Sequence, residues 1–195
     1  MPYYTGIGSR ACRKLPHVMK VLFDIAVALS KQGYTVRSGG ADGADTAFEM
    51  GAKERLVRSP KQLYDIYLPW PGFNNRSMTD TLNYHGNKPM VLDSMARDMA
   101  KGIHKHWDKL KPGAKQMHTR NIYQVLGGEL IEPSDFLVCY AVTDDEGVPE
   151  GGTRTAWLLA KQYKVPCYNL YLPFDRLDFA EFLAVEFGIK IEINL

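Results

Sequence analysis

Four short clusters in this chain carry residue types suited to holding an anion. Gly8-Ser9-Arg10 closes an apolar run, and Ser38-Gly39-Gly40 follows a second one, with Asp42 and Asp45 just beyond. Arg120-Asn121 and Gly151-Gly152-Thr153 stand far along the chain. Glycine lets a backbone approach a ligand closely, and the free N–H groups at a helix start favour phosphate. The Arg10 guanidinium can grip a phosphate through two parallel hydrogen bonds. Arg120 could add a second cation and Asn121 could read a base or ribose, or the pair could serve as a salt bridge and cap at a helix start. Asp42 and Asp45 suit either a ribose or a helix cap. Thr153 would contribute a hydroxyl.

These clusters need strands that stop and helices that start. Residues 3–9 read as a first strand. Leu15, Val18, Met19, Leu22, Ile25, Ala26 and Leu29 then recur at helical spacing over 14–32, with Pro16 in the first turn and Gly33 just past the end. Tyr34–Arg37 is a second strand running into a helix that carries Ala44, Ala47 and Phe48. A third strand covers Asp65–Leu68. Trp70–Lys88, rich in Gly, Pro and Asn, reads as a long loop, and Pro89–Leu110 and Thr119–Leu126 as helices around a Lys111-Pro112-Gly113 turn. Ser134–Ala141 is near-continuously apolar, as a buried parallel strand would be. A helix over Thr153–Tyr163 and a strand over Val165–Tyr171 follow, then a short helix (Leu177–Phe187) and an edge strand (Ile189–Ile193).

Strands alternating with helices predict a Rossmann-like, three-layer α/β/α fold: one mostly parallel sheet of five or more strands with helices on both faces. The chain of 195 residues reads as a single domain with an insertion at about 70–117. In such a sheet, ligands bind outside the carboxyl ends of the strands, so the Gly-rich clusters should converge there.

Three widely spaced cysteines without a CxxC pair argue against a disulfide framework or a zinc site. The N-terminus enters a strand directly and no apolar run approaches a membrane span, so a cytoplasmic protein with no membrane partner is expected. His104 and His106, two apart, face different sides of a helix, and Asp144-Asp145-Glu146 reads as a solvated acidic loop, so no metal is expected. Between Arg97 and Arg120, seven basic residues face two acidic ones. Lys101, Lys105 and Lys109 recur at i, i+4 and would form one helical stripe suited to a nucleic-acid backbone, or a solvated face. Trp70, Phe73, Tyr84 and Trp107 are candidates for stacking bases.

In order and type, the clusters resemble the DprA/Smf family and the wider SLOG group of Rossmann-like nucleotide binders, which includes the LOG phosphoribohydrolases. Gly8-Ser9-Arg10 is similar to the family's GSR-like loop, and Ser38–Glu49 to its SGxAxGxDxxAH element. Arg120-Asn121-Ile122 with Leu126 is similar to RNRII, and Gly151-Gly152-Thr153 with Thr155-Ala156 to the last Gly-rich turn. The resemblance spans about Tyr3–Leu172. It implies a nucleotide or single-stranded DNA as ligand, a role in DNA processing, and a homodimer. Glu49 stands where DprA has His, and Arg154 and Leu158 stand where the LOG motif has Gly and its catalytic Glu. An enzyme acting on a nucleotide, an N-glycosidase or phosphate-ester hydrolase, would instead use Asp45 or Glu49 as general acid or base. A nucleotide-sensing module is a third reading. No cofactor other than a nucleotide is expected.

Overall fold

The computed structural model describes residues 1–54, 62–76, 84–85 and 90–195. Among the described residues six parallel strands form one sheet: β1 (Tyr3–Gly8), β2 (Thr35–Ser38), β3 (Tyr64–Tyr67), β4 (Tyr84–His85), β5 (Phe136–Tyr140) and β6 (Cys167–Asn169), in the order β4-β3-β2-β1-β5-β6. Tyr4 of β1 pairs with Val36 on one side and Phe136 on the other, so the first strand lies in the middle of the sheet. The helices are α1 (Pro16–Lys31), α2 (Ala44–Glu54), α3 (Met90–Ile103), α4 (Pro112–Leu126), α5 (Thr153–Gln162) and α6 (Pro173–Phe187). Helices α1, α2 and α6 cover one face of the sheet and α3, α4 and α5 the other, which gives two cores. The expected three-layer α/β/α architecture is the one observed.

Local chemistry sets the element ends. Pro16 opens α1, where its missing N–H costs nothing. Gly33 closes it at φ 84°, with its N–H on Ser30 O (3.1 Å) and that of Tyr34 on Leu29 O (3.1 Å). That crossed pair satisfies carbonyls the helix leaves open, and it needs a residue at ease with positive φ. Val18, Leu22, Ile25, Ala26 and Leu29, the periodic positions of the sequence, are all buried against α2 and the sheet. Each large aliphatic among them contributes about 1.5–3 kcal/mol of burial.

Several elements differ from the sequence expectation, among them α6, which begins at Pro173 rather than Leu177. Helix α4 begins at Pro112, in the stretch read as a turn, because proline serves as the first helical residue there. The helix expected over Pro89–Leu110 ends at Ile103, and a single 3₁₀ turn over Trp107–Lys109 follows. The expected edge strand Ile189–Ile193 pairs with no described strand. Gly188 turns the chain back at φ 65°, and Ile189, Ile191 and Ile193 pack against the core on that face, Ile189 and Ile191 beside Val27 and Ala28 of α1. Arg176 of α6 bonds the Leu195 carbonyl and ties the tail down. The segment read as a long loop contributes a 3₁₀ turn (Phe73–Asn75) and β4 among its described residues. No helix among the described residues is long and apolar enough to cross a membrane.

Candidate functional site

From β1 the chain builds outward through β2, β3 and β4, then returns to place β5 on β1's other side. Loops leaving the carboxyl ends of β1 and β5 therefore part in opposite directions and leave a crevice between them. A cavity of about 430 Å³ lies there. It gathers Gly8, Ser9 and Arg10 from the end of β1, Asp45 from α2, Arg120 and Asn121 from α4, and Gly151, Gly152 and Thr153 from the start of α5. Ser38, Gly39, Gly40, Asp42 and Glu49 do not line it.

The N-terminus of α5 is bare. Gly152 at its cap makes no side-chain hydrogen bond, and no acidic residue sits in the first turn. The first amide with a backbone partner is that of Thr155, on Gly152 O at 3.3 Å. The amides of Gly152, Thr153 and Arg154 have no partner among the described residues, so the positive end of the helix dipole opens on the cavity. Arg10 is exposed at the mouth; its one contact is Nη2 with the Met117 sulfur at 3.8 Å, and it forms no ion pair among the described residues.

The turn before α2 is closed upon itself. Asp45 Oδ1 accepts from the Gly8 amide (3.2 Å) and Oδ2 from the Ala41 amide (3.4 Å), while Ser9 O accepts from the Ala44 amide (3.4 Å). The Ser38 hydroxyl donates to Gly6 O at 2.6 Å. Gly40 is covered by the 70–76 loop: Asn74 donates to Gly40 O (3.0 Å) and to Asp42 (3.3 Å), and Asp42 also meets Arg13 at 3.5 Å. Both aspartates thus serve the loops.

Arg120 and Asn121 tie these turns together. Arg120 Nη1 donates to the carbonyls of Gly39 and of Tyr67 (3.3 Å), Nε donates to Asn121 Oδ1 (3.0 Å), and Nη1 lies 4.0 Å from Asp45 Oδ2. Asn121 in turn donates to Gly152 O at 2.7 Å. One polar chain therefore links the ends of β1, β2 and β3 to the start of α5. A Cβ on Gly39 would overlap the Arg120 guanidinium, so glycine there makes room for the arginine. Arg120 is 7% exposed, and its Nη2 has no partner among the described residues. Burial pushes the Asp45 carboxyl up from its ordinary range, against the pull of Arg120 and the two amides.

Several sequence candidates fall elsewhere. Glu49 is buried outside the cavity, bonded to Arg76 (2.7 Å) and Lys53 (2.6 Å), which leaves Asp45 as the candidate acid or base that lines it. Lys101, Lys105 and Lys109 are exposed but do not form one helical stripe: Lys101 is in the last turn of α3, Lys105 lies past its end, and Lys109 is in the 3₁₀ turn. Phe73 and Trp107 are buried and Trp70 packs edge-on against Phe73 at 5.1 Å, so none is free to stack a base. The Tyr84 side chain lies outside the described residues. In the acidic loop, Asp144 binds Arg154 (2.6 Å) and the amides of Glu146 and Val148, and no group of three metal-type ligands occurs among the described residues. Ala41, Met117, Gln124, Val142 and Glu150 also line the cavity and were not singled out in the sequence. Met117, Arg120, Asn121 and Gln124 are spaced i, i+3, i+4, i+7, so the helical period of α4 carried a signal for Met117 and Gln124.

No family model matches the chain, and no curated protein or solved structure matches it. The family resemblance rests on the motif residues alone.

Proposed function

We propose that the crevice between β1 and β5 binds the phosphate of a nucleotide, as the resemblance to DprA and SLOG proteins implies. The observation that carries the reading is the bare start of α5 with two guanidiniums beside it. Gly152 and Thr153, whose amides have no partner among the described residues, line one cavity with Arg10 and Arg120, and a buried cation whose Nη2 has no partner among the described residues is matched by an anion. The cavity, at about 430 Å³, is of a size for a small molecule. A nucleotide is favoured over the interior of a DNA strand because the lysines that would track a strand share no helical face.

The test is calorimetric titration with nucleoside mono- and diphosphates beside a single-stranded oligonucleotide, at low and high salt. Nucleotide should bind, and Arg10→Ala should weaken it roughly tenfold or more, since a charge-assisted hydrogen bond contributes about 1.5–3 kcal/mol. The melting temperature should not change, because Arg10 is exposed and unpaired among the described residues. Salt-sensitive binding of the oligonucleotide alone would replace the nucleotide reading with a strand-binding one. Failure of both ligands would remove the anion site.

A further inference from the structure

Resting on the anion reading above, we propose that binding of the ligand phosphate is coupled to uptake of one proton by Asp45. Asp45 is 3% exposed and lines the cavity, yet the contacts of its carboxylate are long: 3.2 Å to the Gly8 amide, 3.4 Å to the Ala41 amide and 4.0 Å to Arg120. The charged and titratable groups that face it are few. Arg120 approaches from α4, Arg76 from the 70–76 loop, and the Cys12 thiol from a 3₁₀ turn over Arg10–Lys14 that follows β1. Arg76 is already matched by Glu49 at 2.7 Å. Burial holds the Cys12 thiol up at about 11, so it stays neutral. Arg120 is therefore the cation left to Asp45, and the same guanidinium presents its free Nη2 to the ligand.

A phosphate arriving there makes two anions share one buried cation. Like charges at close range in a medium of low dielectric cannot both remain ionised cheaply. The balance is simple: Asp45 carboxylate plus one solvent proton gives the neutral acid, and no bond to the ligand forms or breaks. The neutral acid still has an acceptor oxygen for the loop amides. Linkage makes the effect mutual, so the factor by which ligand favours the protonated Asp45 is the factor by which protonation strengthens binding.

The experiment uses sodium sulfate as probe, because its charge is constant across the pH range, and follows amide shifts by NMR from about pH 5.5 to 8. The whole chain is used, with Asp45→Asn beside it. Sulfate affinity of the parent should fall by as much as about tenfold per pH unit above the Asp45 titration, and the variant should lack that slope. Both proteins keep the same histidines, so any histidine contribution persists in the variant and subtracts. Carbon-13 detection of the Asp45 carboxyl in the parent needs no substitution: its titration should move upward when sulfate is saturating. A carboxyl titration that bound sulfate leaves unmoved overturns the proposal, as does a pH slope equal in both proteins. If neither sulfate nor adenosine monophosphate binds the folded parent, the anion site itself fails and the coupling goes with it.

Discussion

The turns ahead of α2 and α5 are both glycine-rich, both follow the sheet's strands, and both point a helix N-terminus at the same edge. They end in opposite states. The turn of α2 is tied down by its own chain: the Asp45 carboxylate accepts from the Gly8 and Ala41 amides, Ser9 O accepts from the Ala44 amide, and Asn74 covers Gly40. That of α5 has no acid in its first turn and no side-chain cap. The difference teaches that a glycine-rich strand-to-helix turn can be drawn into the scaffold by its own side chains, and that under the function proposed above a turn without them is the one left for a ligand. In this molecule the more glycine-laden motif is built into the scaffold, and the proposed function makes the plainer one the receptor.

The strongest way to break this contrast is to disturb the chain of bonds that serves both turns. Gly39→Ala would drive a methyl group into Arg120 and leave Asp45 without its cation. Uncoupling one partner of a buried pair costs about 3–5 kcal/mol, so urea unfolding should show a loss of that order and nucleotide binding should vanish with it. A loss under about 1 kcal/mol would mean that Arg120 does not organise the α2 turn.

Acid should loosen the α5 side specifically. His118 Nδ1 lies 2.7 Å from the Thr155 hydroxyl, and burial holds its pKa down at about 4. A depressed histidine stabilises the fold fully above its unfolded value near 6.5, and that contribution is lost as pH falls through the folded value. Roughly 2–3 kcal/mol should disappear over that window, and His118→Gln should flatten the slope in a pH series of denaturation curves. An unchanged slope would assign the acid sensitivity to other groups.

Giving α5 what α2 already has would sharpen the comparison. Gly152→Asp has room, the nearest atom to its Cβ being the Asn121 amide nitrogen at 3.8 Å. The new carboxylate should stabilise the helix end by about 0.5–1 kcal/mol and weaken phosphate binding by roughly tenfold or more. Thermal melting and calorimetry on one sample would read both, and binding that survives intact would move the anion away from α5. The smallest effect belongs to Lys105→Glu. Lying past the end of α3 and outside the cavity lining, it should leave nucleotide affinity within about twofold and stability within about 0.5 kcal/mol.

The strands and helices were legible because their burial is periodic: the apolar positions of α1, and the near-continuous apolar run of β5, are the buried ones. The convergence of Gly8, Arg10, Asn121 and Gly152 was legible too, since a parallel sheet puts all strand ends on one edge. What escaped was the choice of partner. Arg120 spends its bonds on carbonyls of Gly39 and Tyr67, 81 and 53 residues away, and local spacing carries no trace of that. The lysine stripe failed because periodicity was extrapolated past Ile103, where the helix stops. The terminal isoleucines alternate as a strand would, but alternation reports only a half-buried extended segment, and here Ile189 and Ile191 lie beside α1 rather than beside a strand.

The position of β1 has a consequence for how the chain is made. Its far side is completed by β5, with Tyr4 against Phe136, more than a hundred residues later. Until Phe136 leaves the ribosome, β1 is an open edge, and the crevice has only one wall. Synthesis at about 5–20 residues per second makes that interval last several seconds to tens of seconds. A stretch of parallel backbone with Tyr4 and Ile7 on it is then available to any passing strand. The polar chain from Asp45 through Arg120 to Asn121 can assemble before that wall arrives, while its last bond, to Gly152, must wait for it. The crevice is thus among the last parts of the molecule to come into being.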